Sequence, residues 1–445
     1  MTKETIKTEG ANAPSVKKTK TAVVYPGKCS GEIKIPPSKS MAHRAIICAT
    51  LAKGISHIDN VAFSEDIKAT INCMKQLGAE IEIDGDKLEI NGVGSLAALQ
   101  RSVMNHSTID CNESGSTLRF LIPVFALSDK HCVFTGKGRL MQRPQDVYEE
   151  IFAAQKKELK ISPDKLETFE SLSAGIFEVR GNVSSQFISG LLFTLPLLDG
   201  DSIIKIIPPF ESKSYVILTL DLLKKFGIET VWLNDNTLMV KGNQTYKAFD
   251  YTIEGDYSQL AFFGVLAAIN NELVIGGLDP HSNQGDSAII DILKDFGAEV
   301  KIIDGKFNIS CEKLTAHEID LGNCPDLGPV LTVLAAMSEG TTVIKNAGRL
   351  RIKESDRILA METELKKAGV DISSTFDTVT INGGVDKDQK YVFDSHNDHR
   401  IVMSMSVLAT ILNQPVTIHG ANAINKSYPN FFEDLQKLNI KVEYN

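Results

Sequence analysis

Basic and small polar residues cluster where apolar segments of the sequence begin. At six such places the sequence reads PPSKSMAHR, ESGSTLR, VSSQF, GDYSQ, CPDLGP and NDHR. A helix N-terminus carries unpaired N–H groups and about half a positive charge, so it can bind an anion. Simple capping explains the Ser and Asp residues but not the cations, because a cation in a first turn opposes the helix dipole. These cations, which predict anionic ligands, are Lys39, Arg44, Arg119 and Arg400.

Two further stretches concentrate charge between predicted elements. The loop GKGRLMQRP holds Arg139 and Arg143, and the run RLRIKESDR holds Lys353, Glu354 and Arg357 among its charged residues. A solvated charged face is the ordinary interpretation of such a run, but both stretches precede a predicted helix, as the other basic segments do. Arg offers planar bidentate contacts to phosphate or carboxylate, whereas Lys supplies a compact point charge. The mixture suits two separate anions.

The elements that must position these residues form an internal repeat. Six apolar segments, each typical of a buried helix, begin near Ser40, Ser116, Ser184, Ser258, Asp326 and Asp398. A β-prone run follows each, and then an amphipathic helix, which in four copies stops at a Gly. Units of roughly 70 residues are too long for an ordinary solenoid. The pattern predicts an α/β (α+β) fold in two halves of three units, with a crossing near Thr245–Thr252.

Composition narrows the classes of protein. The 445 residues carry 47 Lys and Arg against 56 Asp and Glu, a net charge of −9, which disfavours nucleic-acid binding. No apolar run approaches the roughly 20 residues of a membrane span, and the polar segment 1–20 is expected to be a flexible extension rather than a secretory signal. Seven scattered cysteines predict reduced thiols in a cytoplasm, without a metal site.

The ordered motifs resemble those of the 5-enolpyruvylshikimate-3-phosphate synthase family of carboxyvinyltransferases. The resemblance runs from about Lys28 to the C-terminus, and each motif alone is only suggestive. The motifs are PPSKSMAHRA, ESGSTLRF, TGKGRLMQRP, VSSQF, ESKSY, the turn at Asp326, KESDR, NDHR and NKSYPNFF. The family implies a two-domain inverse α/β barrel-like fold of six βαβαββ units, three per domain. It places the first domain at 21–37 plus 249–445, the second at 38–248, and the active site between them.

The resemblance implies transfer of the enolpyruvyl group of phosphoenolpyruvate to the 5-hydroxyl of shikimate 3-phosphate, without metal or organic cofactor. The implied catalytic residues are Lys39, Asp326 and Glu354. The implied phosphoenolpyruvate ligands are Lys39, Gly115, Arg139, Gln186, Arg357, Arg400 and Lys426. The implied shikimate 3-phosphate ligands are Lys39, Ser40, Arg44, Ser184, Ser185, Gln186, Ser212, Asp326 and Lys353. A monomer without nucleic-acid or membrane partners is expected, because two domains can bury their own helices.

The sequence departs from the family pattern at three positions. Glu113 stands where Asn is frequent, Phe120 where Pro is frequent, and Arg349 where an Asn often contacts the shikimate ligand. One alternative is a UDP-N-acetylglucosamine enolpyruvyl transferase, but Ser40 and the absence of a Cys in the loop 138–143 disfavour it. Another is a non-catalytic anion- or RNA-end-binding protein, since RNA 3′-phosphate cyclases use similar modules. The acidic composition argues against RNA.

Overall fold

The computed structural model describes residues 20–444, so the predicted extension at 1–20 lies, apart from Lys20, outside the described residues. In that range the α-helices are α1 Lys39–Leu51, α2 Glu65–Gln76, α3 Leu96–Ser102, α4 Gly115–Ala126, α5 Asp146–Ala154, α6 Ser185–Thr194, α7 Lys213–Lys225, α8 Tyr257–Ile269, α9 Ile289–Asp295, α10 Gly328–Ala336, α11 Arg357–Lys367, α12 His399–Ala409 and α13 Phe431–Lys437.

The strands of the same range form six four-stranded sheets. They are β1 Thr21–Val24, β2 Glu32–Lys34, β3 Ile55–Asp59, β4 Glu80–Asp84, β5 Lys87–Asn91, β6 Ser107–Asp110, β7 Cys132–Thr135, β8 Leu159–Ile161, β9 Lys165–Thr168, β10 Ile176–Arg180, β11 Ser202–Ile207, β12 Thr230–Asn234, β13 Thr237–Val240, β14 Tyr251–Thr252, β15 Leu273–Gly276, β16 Glu299–Ile303, β17 Lys306–Ser310, β18 Ile319–Asp320, β19 Thr341–Lys345, β20 Asp371–Ser374, β21 Val379–Asn382, β22 Val392–Asp394, β23 Val416–His419 and β24 Val442–Tyr444.

Every sheet repeats one topology. In the second repeat, β6 runs parallel to β7, β7 is antiparallel to β9, and β9 is antiparallel to β8. The other sheets have the same pattern in the orders β14-β3-β5-β4, β10-β11-β13-β12, β2-β15-β17-β16, β18-β19-β21-β20 and β22-β23-β1-β24. The N-terminal strand β1 therefore completes the sixth repeat. This confirms the predicted α/β architecture of six βαβαββ units.

The six apolar segments are the buried helices α1, α4, α6, α8, α10 and α12. In α8 the residues from Tyr257 to Ala268 are all buried, as an apolar surface around the whole helix predicts. Side chains cap five of these helices by accepting a first-turn N–H, whereas α10 continues a 3₁₀ turn at Pro325–Leu327. The five caps are Ser38, Ser114, Ser184, Asp256 and Asp398.

The amphipathic helices end in a left-handed residue, as four of their sequences predict. The predicted stops Gly78, Gly227, Gly297 and Gly369 have φ values of 110°, 79°, 101° and 75°. A Cβ is disfavoured in this region, so Gly is the usual residue there. After α13 and α5 the same left-handed turn is made by Asn439 and by Lys156. The short helix α3 has no counterpart in the predicted repeat.

The buried apolar side chains form two separate cores. One takes its residues from 22–35 and 257–442, and the other from 41–253. Each core therefore contains three of the six repeats, which gives the two-domain fold. We propose that these cores are the two predicted domains.

The two segments that cross between the domains lie side by side. The Ser38 N–H donates to the Glu254 carbonyl at 2.7 Å, and the Asp256 N–H donates to the Pro36 carbonyl at 2.9 Å. The first crossing therefore lies close to the predicted boundary at 37/38. We place the second crossing at 254–256, because β14 pairs with β3 and Ile253 packs in the second core; the predicted boundary at 248/249 stays a prediction.

Close packing within the repeat makes Gly383 a test of the fold. A Cβ built at Gly383, directly after β21, would overlap the carbonyl oxygen of Ser338 at the end of α10. We expect Gly383→Ala to lower the free energy of unfolding by at least about 1 kcal/mol, because backbone cannot yield as a flexible side chain can. Gly276→Ala is the matched control, since its nearest contact is a side-chain atom at 3.5 Å. Equal thermal midpoints for the two variants would contradict this packing.

Candidate active site

One cleft between the domains gathers the starts of the buried helices. Its walls include residues from the N-terminal ends of α1, α4, α6 and α12 and from the 3₁₀ turn before α10. The remaining buried helix, α8, contributes indirectly, because the Ser258 hydroxyl accepts a hydrogen bond from Arg400 at 3.0 Å. The predicted site residues in the cleft wall are Lys39, Ser40, Arg44, Gly115, Ser184, Ser185, Gln186, Ser212, Asp326, Lys353, Glu354, Arg357 and Arg400.

The cleft wall carries a large excess of positive charge. Eight Lys and Arg residues line it, against three carboxylates. The cations are Lys39, Arg44, Arg119, Arg143, Arg349, Lys353, Arg357 and Arg400, and the carboxylates are Asp66, Asp326 and Glu354. Burying unbalanced charge is costly unless a ligand of the opposite sign binds there. The cleft is therefore built for anions, as the basic helix starts predict.

Asp326 lies at the centre of the cations from the first domain. Its carboxylate accepts from Lys353 and Arg357 at 3.2 Å and from Arg400 at 3.0 Å. Arg357 also donates to Asp398 at 2.8 Å, which holds its guanidinium in place. Burial alone would raise the pKa of Asp326, but these three cations hold it well below its ordinary value. Asp326 is therefore ionised at neutral pH.

Glu354 is the second ionised carboxylate of the cleft. It accepts from Arg357 at 2.7 Å and lies 3.7 Å from Arg143, which belongs to the other domain. Burial would raise its pKa, but Arg357 and Arg143 outweigh burial and hold the pKa well below its ordinary value. Glu354 can therefore accept a proton at neutral pH but cannot begin a reaction as an acid.

Lys39 pairs with a carboxylate that is not among the predicted site residues. Its ammonium lies 2.8 Å from Asp66, in the first turn of α2. Burial raises the pKa of Asp66, and Lys39 opposes that rise. In the sequence, Ser64, Glu65 and Asp66 look like an ordinary acidic start of helix α2. Nothing in that pattern indicates that Asp66 faces Lys39.

Hydroxyl groups dominate the end of the cleft near α7. Arg44 donates to the Thr219 hydroxyl at 2.8 Å and to the Tyr215 carbonyl at 3.0 Å. Among the described residues no carboxylate pairs with Arg44, so its charge is available to a ligand. Burial lowers its pKa to about 10, which leaves it protonated at neutral pH. The hydroxyls at this end come from Ser40, Ser184, Ser185 and Ser212.

At the start of α4, the guanidinium of Arg143 lies against Gly115. A Cβ at Gly115 would lie 2.8 Å from Cζ of Arg143, so Gly lets that arginine approach the helix start. Arg119 is buried nearby and donates to Gln186 at 3.0 Å. Burial and the neighbouring Arg143 lower the pKa of Arg119 to about 9. Neither Arg119 nor Arg143 is among the implied ligands, although both stand out in the sequence.

Two predicted ligands lie outside the cleft wall. Arg139 is exposed, because Leu140 and Met141 bury themselves in the turn that follows and leave Arg139 on the outer side. Arg143 of the same loop reaches the cleft instead. Lys426 is buried and donates to Glu113 at 2.5 Å and to the Asn397 carbonyl at 2.6 Å. The roles of Arg139 and Lys426 toward phosphoenolpyruvate stay predictions.

The three departures from the family pattern all have structural partners. Glu113 pairs with Lys426 of the other domain. The ring of Phe120 lies 5.1 Å from the Arg44 guanidinium, a cation–π contact. Arg349 forms an ion pair with Glu211 at 2.5 Å. Two of the three departures therefore make ion pairs that connect the two domains.

His399 is a further cleft residue that motif reasoning did not assign. It is 2% exposed, and both ring nitrogens are without a hydrogen-bond partner among the described residues. Burial, together with Lys39, lowers its pKa well below the ordinary value, so the ring is neutral. The sequence signal is its place between the cap Asp398 and Arg400 in NDHR.

In the described part of the chain, no helix has the length and apolar character to cross a membrane.

Known proteins are similar to this chain in both sequence and fold. A family model described as EPSP synthase (3-phosphoshikimate 1-carboxyvinyltransferase) matches residues 23–435. The 3-phosphoshikimate 1-carboxyvinyltransferase of Clostridium novyi (strain NT) is 49% identical over 93% of this chain and 96% of that protein. Its namesake from Clostridium perfringens (strain SM101 / Type A) is 48% identical over 94% of this chain and 98% of that protein.

Solved structures agree with the fold. An EPSP synthase from Acinetobacter baumannii matches with a TM-score of 0.78 and 26% identity, over 96% of this chain and 100% of that one. The enolpyruvyl transferase NikO from Streptomyces tendae shares the fold, with a TM-score of 0.75 and 13% identity over 96% and 99% of the two chains. With its ordered motifs, its six repeats and its cationic cleft, the chain belongs to the EPSP synthase (3-phosphoshikimate 1-carboxyvinyltransferase) family.

Proposed function

We propose that the cleft transfers the enolpyruvyl group of phosphoenolpyruvate to the 5-hydroxyl of shikimate 3-phosphate. The products are 5-enolpyruvylshikimate 3-phosphate and phosphate, and the reaction belongs to the shikimate pathway. The observation that carries this proposal is the cleft wall, which combines eight cations and three carboxylates with the starts of buried helices. Both substrates are anions with a phosphate group, and the chain belongs to the family named for this reaction.

Shikimate 3-phosphate fits the end of the cleft that is rich in hydroxyl groups. Arg44 supplies a charge that no carboxylate of residues 20–444 pairs with, and the hydroxyls of Ser184, Ser185 and Ser212 supply donors for phosphate oxygens. The N-terminus of α6 adds its own N–H groups. Ser40, Gln186 and Lys353 complete the proposed set, and Asp326 is available to the hydroxyl groups of the ring.

Phosphoenolpyruvate fits the end of the cleft that is rich in arginine. We assign Lys39, Arg357 and Arg400 to this end, where Gly115 lets Arg143 approach the start of α4. Arginine suits the phosphate and the carboxylate of this substrate, because its fork pairs with two oxygens at once. Gln186, Lys426 and Arg139 are the other proposed ligands. Lys426 would have to exchange part of its pairing with Glu113 for the substrate.

The chemistry requires an addition followed by an elimination. In the addition we assign Lys39 as the donor to the methylene carbon, while ionised Asp326 accepts the proton of the attacking hydroxyl. In the elimination, ionised Glu354 accepts a proton from the new methyl group as phosphate departs. Return of that proton to Lys39, and of the Asp326 proton to phosphate, resets the charges. Arg357 and Arg400 stabilise the departing phosphate electrostatically.

We also propose that the protein acts as a monomer in the cytoplasm. The cleft wall described above is formed by a single chain, so a second copy is not needed to complete it. All seven cysteines are free thiols, and six of them are buried, which suits a reducing compartment.

The acceptor decides between the proposed reaction and its alternatives. Phosphate release from phosphoenolpyruvate is measured with shikimate 3-phosphate, with UDP-N-acetylglucosamine and without acceptor. We expect release only with shikimate 3-phosphate. Turnover only with the nucleotide sugar would overturn the assignment, and release without an acceptor would indicate hydrolysis rather than transfer. An absence of release in all three arms would favour a binding role.

Lys39→Met tests the role of the cleft lysine. We expect kcat/KM to fall at least about 100-fold, because a charged group that contacts the reacting molecule is lost. The variant leaves Asp66 without its partner, so Lys39→Met/Asp66→Asn is measured beside it and should be as inactive. Lys68→Met is the matched control, because Lys68 pairs with Glu65 at the surface of α2. Activity within about tenfold of wild type in both Lys39 variants would contradict the role.

Glu354→Gln tests the ionised base. We expect kcat to fall about 100-fold or more. Since neighbouring cations hold the pKa of Glu354 well below its ordinary value, wild-type Glu354 stays ionised between pH 6 and 8. The ratio of wild-type to variant kcat should therefore be constant over that range. Glu362→Gln is the control, because Glu362 pairs with Lys366 and Ser374 and does not line the cleft. A ratio that shrinks toward pH 6 would show a pKa near neutrality and contradict the electrostatic account.

A further inference from the structure

Arg349 joins the two domains at the hydroxyl-rich end of the cleft. It is 8% exposed and lies in the 3₁₀ turn Gly348–Ile352 of the first domain. Its guanidinium donates to the Ser212 hydroxyl of the second domain at 2.8 Å and to the Gly322 carbonyl at 2.7 Å. Nε lies 2.5 Å from Glu211, which is also in the second domain. A single side chain therefore contacts both walls of the cleft.

Ser212 is held in an unusual backbone conformation at this point. Its φ of 52° is left-handed, which is uncommon and unfavourable for a serine. The Ser212 N–H donates to the same Gly322 carbonyl, at 2.9 Å. Arg349 and Gly322 thus bind the hydroxyl and the N–H of one residue from the opposite domain. These contacts fix where the Ser212 hydroxyl lies in the cleft wall.

The charge of Arg349 is already balanced by a carboxylate. Burial lowers the pKa of Arg349, and Glu211 opposes that shift. Arg44, in the same end of the cleft, has backbone carbonyl and hydroxyl partners instead. The two arginines therefore have different tasks. The charge of Arg44 is available to an anion, whereas the guanidinium of Arg349 is paired and hydrogen-bonded with protein groups.

We propose that Arg349 is a positioning residue for shikimate 3-phosphate. It holds Ser212 from across the cleft, so that the Ser212 hydroxyl is set to donate to the substrate, and Glu211 in turn fixes the guanidinium. This proposal rests on the function proposed above. It gives a role to a position where the family often has an Asn that contacts the shikimate ligand directly.

The kinetic test is Arg349→Met, which keeps the length of the side chain and removes the guanidinium. We expect the KM for shikimate 3-phosphate to rise at least about tenfold. The KM for phosphoenolpyruvate and kcat should change less than about threefold, because Arg349 does not act on the reacting atoms. Arg351→Met is the matched control, since among the described residues Arg351 donates its hydrogen bonds within its own domain, to Asp356, Ser374, Thr375 and Phe376.

Two further variants separate positioning from a loss of folding. Arg349→Met/Glu211→Gln removes the half-buried carboxylate that Arg349→Met leaves unpaired, and it should restore the melting temperature without restoring the KM. In the Ser212→Ala background, Arg349→Met should raise the KM by no more than about twofold further, because both changes remove the same contact. Additive increases, or a KM within twofold of wild type in Arg349→Met, would overturn the proposal.

A measurement without substrate keeps the proposal testable by itself. Amide hydrogen exchange of the segment 210–215 should accelerate in Arg349→Met and stay unchanged in Arg351→Met. Unchanged exchange in both variants would overturn the positioning role, whatever the acceptor. If wild-type protein fails to release phosphate with shikimate 3-phosphate, the proposed function is wrong, and the exchange result still decides whether Arg349 positions Ser212.

Discussion

The cleft between the two domains buries cations beside one another. Two cations about 4 Å apart repel by roughly 4 kcal/mol at an effective dielectric constant near 20. Eight cations lining one cleft are stable only if opposite charges are placed among them. Asp326 forms ion pairs with three of them. Asp398 and Glu211, which do not line the cleft, neutralise Arg357 and Arg349. The positive charge that these carboxylates leave unbalanced is available to bind the substrate anions.

The repeat explains how a chain of net charge −9 achieves this. Each unit buries one apolar helix, and in both domains the starts of these helices face the same cleft. The partial positive charge of the helix starts adds to the side-chain cations instead of being spread over the surface. The crossing segments at 35–38 and 254–256 are hydrogen-bonded to each other, so the two walls meet at a fixed place. Of the 56 Asp and Glu residues, three lie in the cleft wall.

The sequence reveals the repeat and most of the cleft because both depend on local patterns. Apolar periodicity predicts the buried helices, and the glycine stops predict where the amphipathic helices end. The missed features depend on contacts between residues distant in sequence, such as Asp66 with Lys39 and Glu211 with Arg349. The loop with Arg139 and Arg143 shows a second limit. Both residues are basic and adjacent to a turn, and only the burial of Leu140 and Met141 decides which one faces the cleft.

We propose that the two ends of one cationic cleft hold two different anions. The decisive experiment is a crystal structure of the protein with shikimate 3-phosphate and a non-reactive phosphoenolpyruvate analogue. We expect the 3-phosphate against Arg44 and the serines near α7, and the analogue against Lys39, Arg357 and Arg400. A 3-phosphate bound at the arginine-rich end, or either anion bound outside the cleft, would refute this assignment.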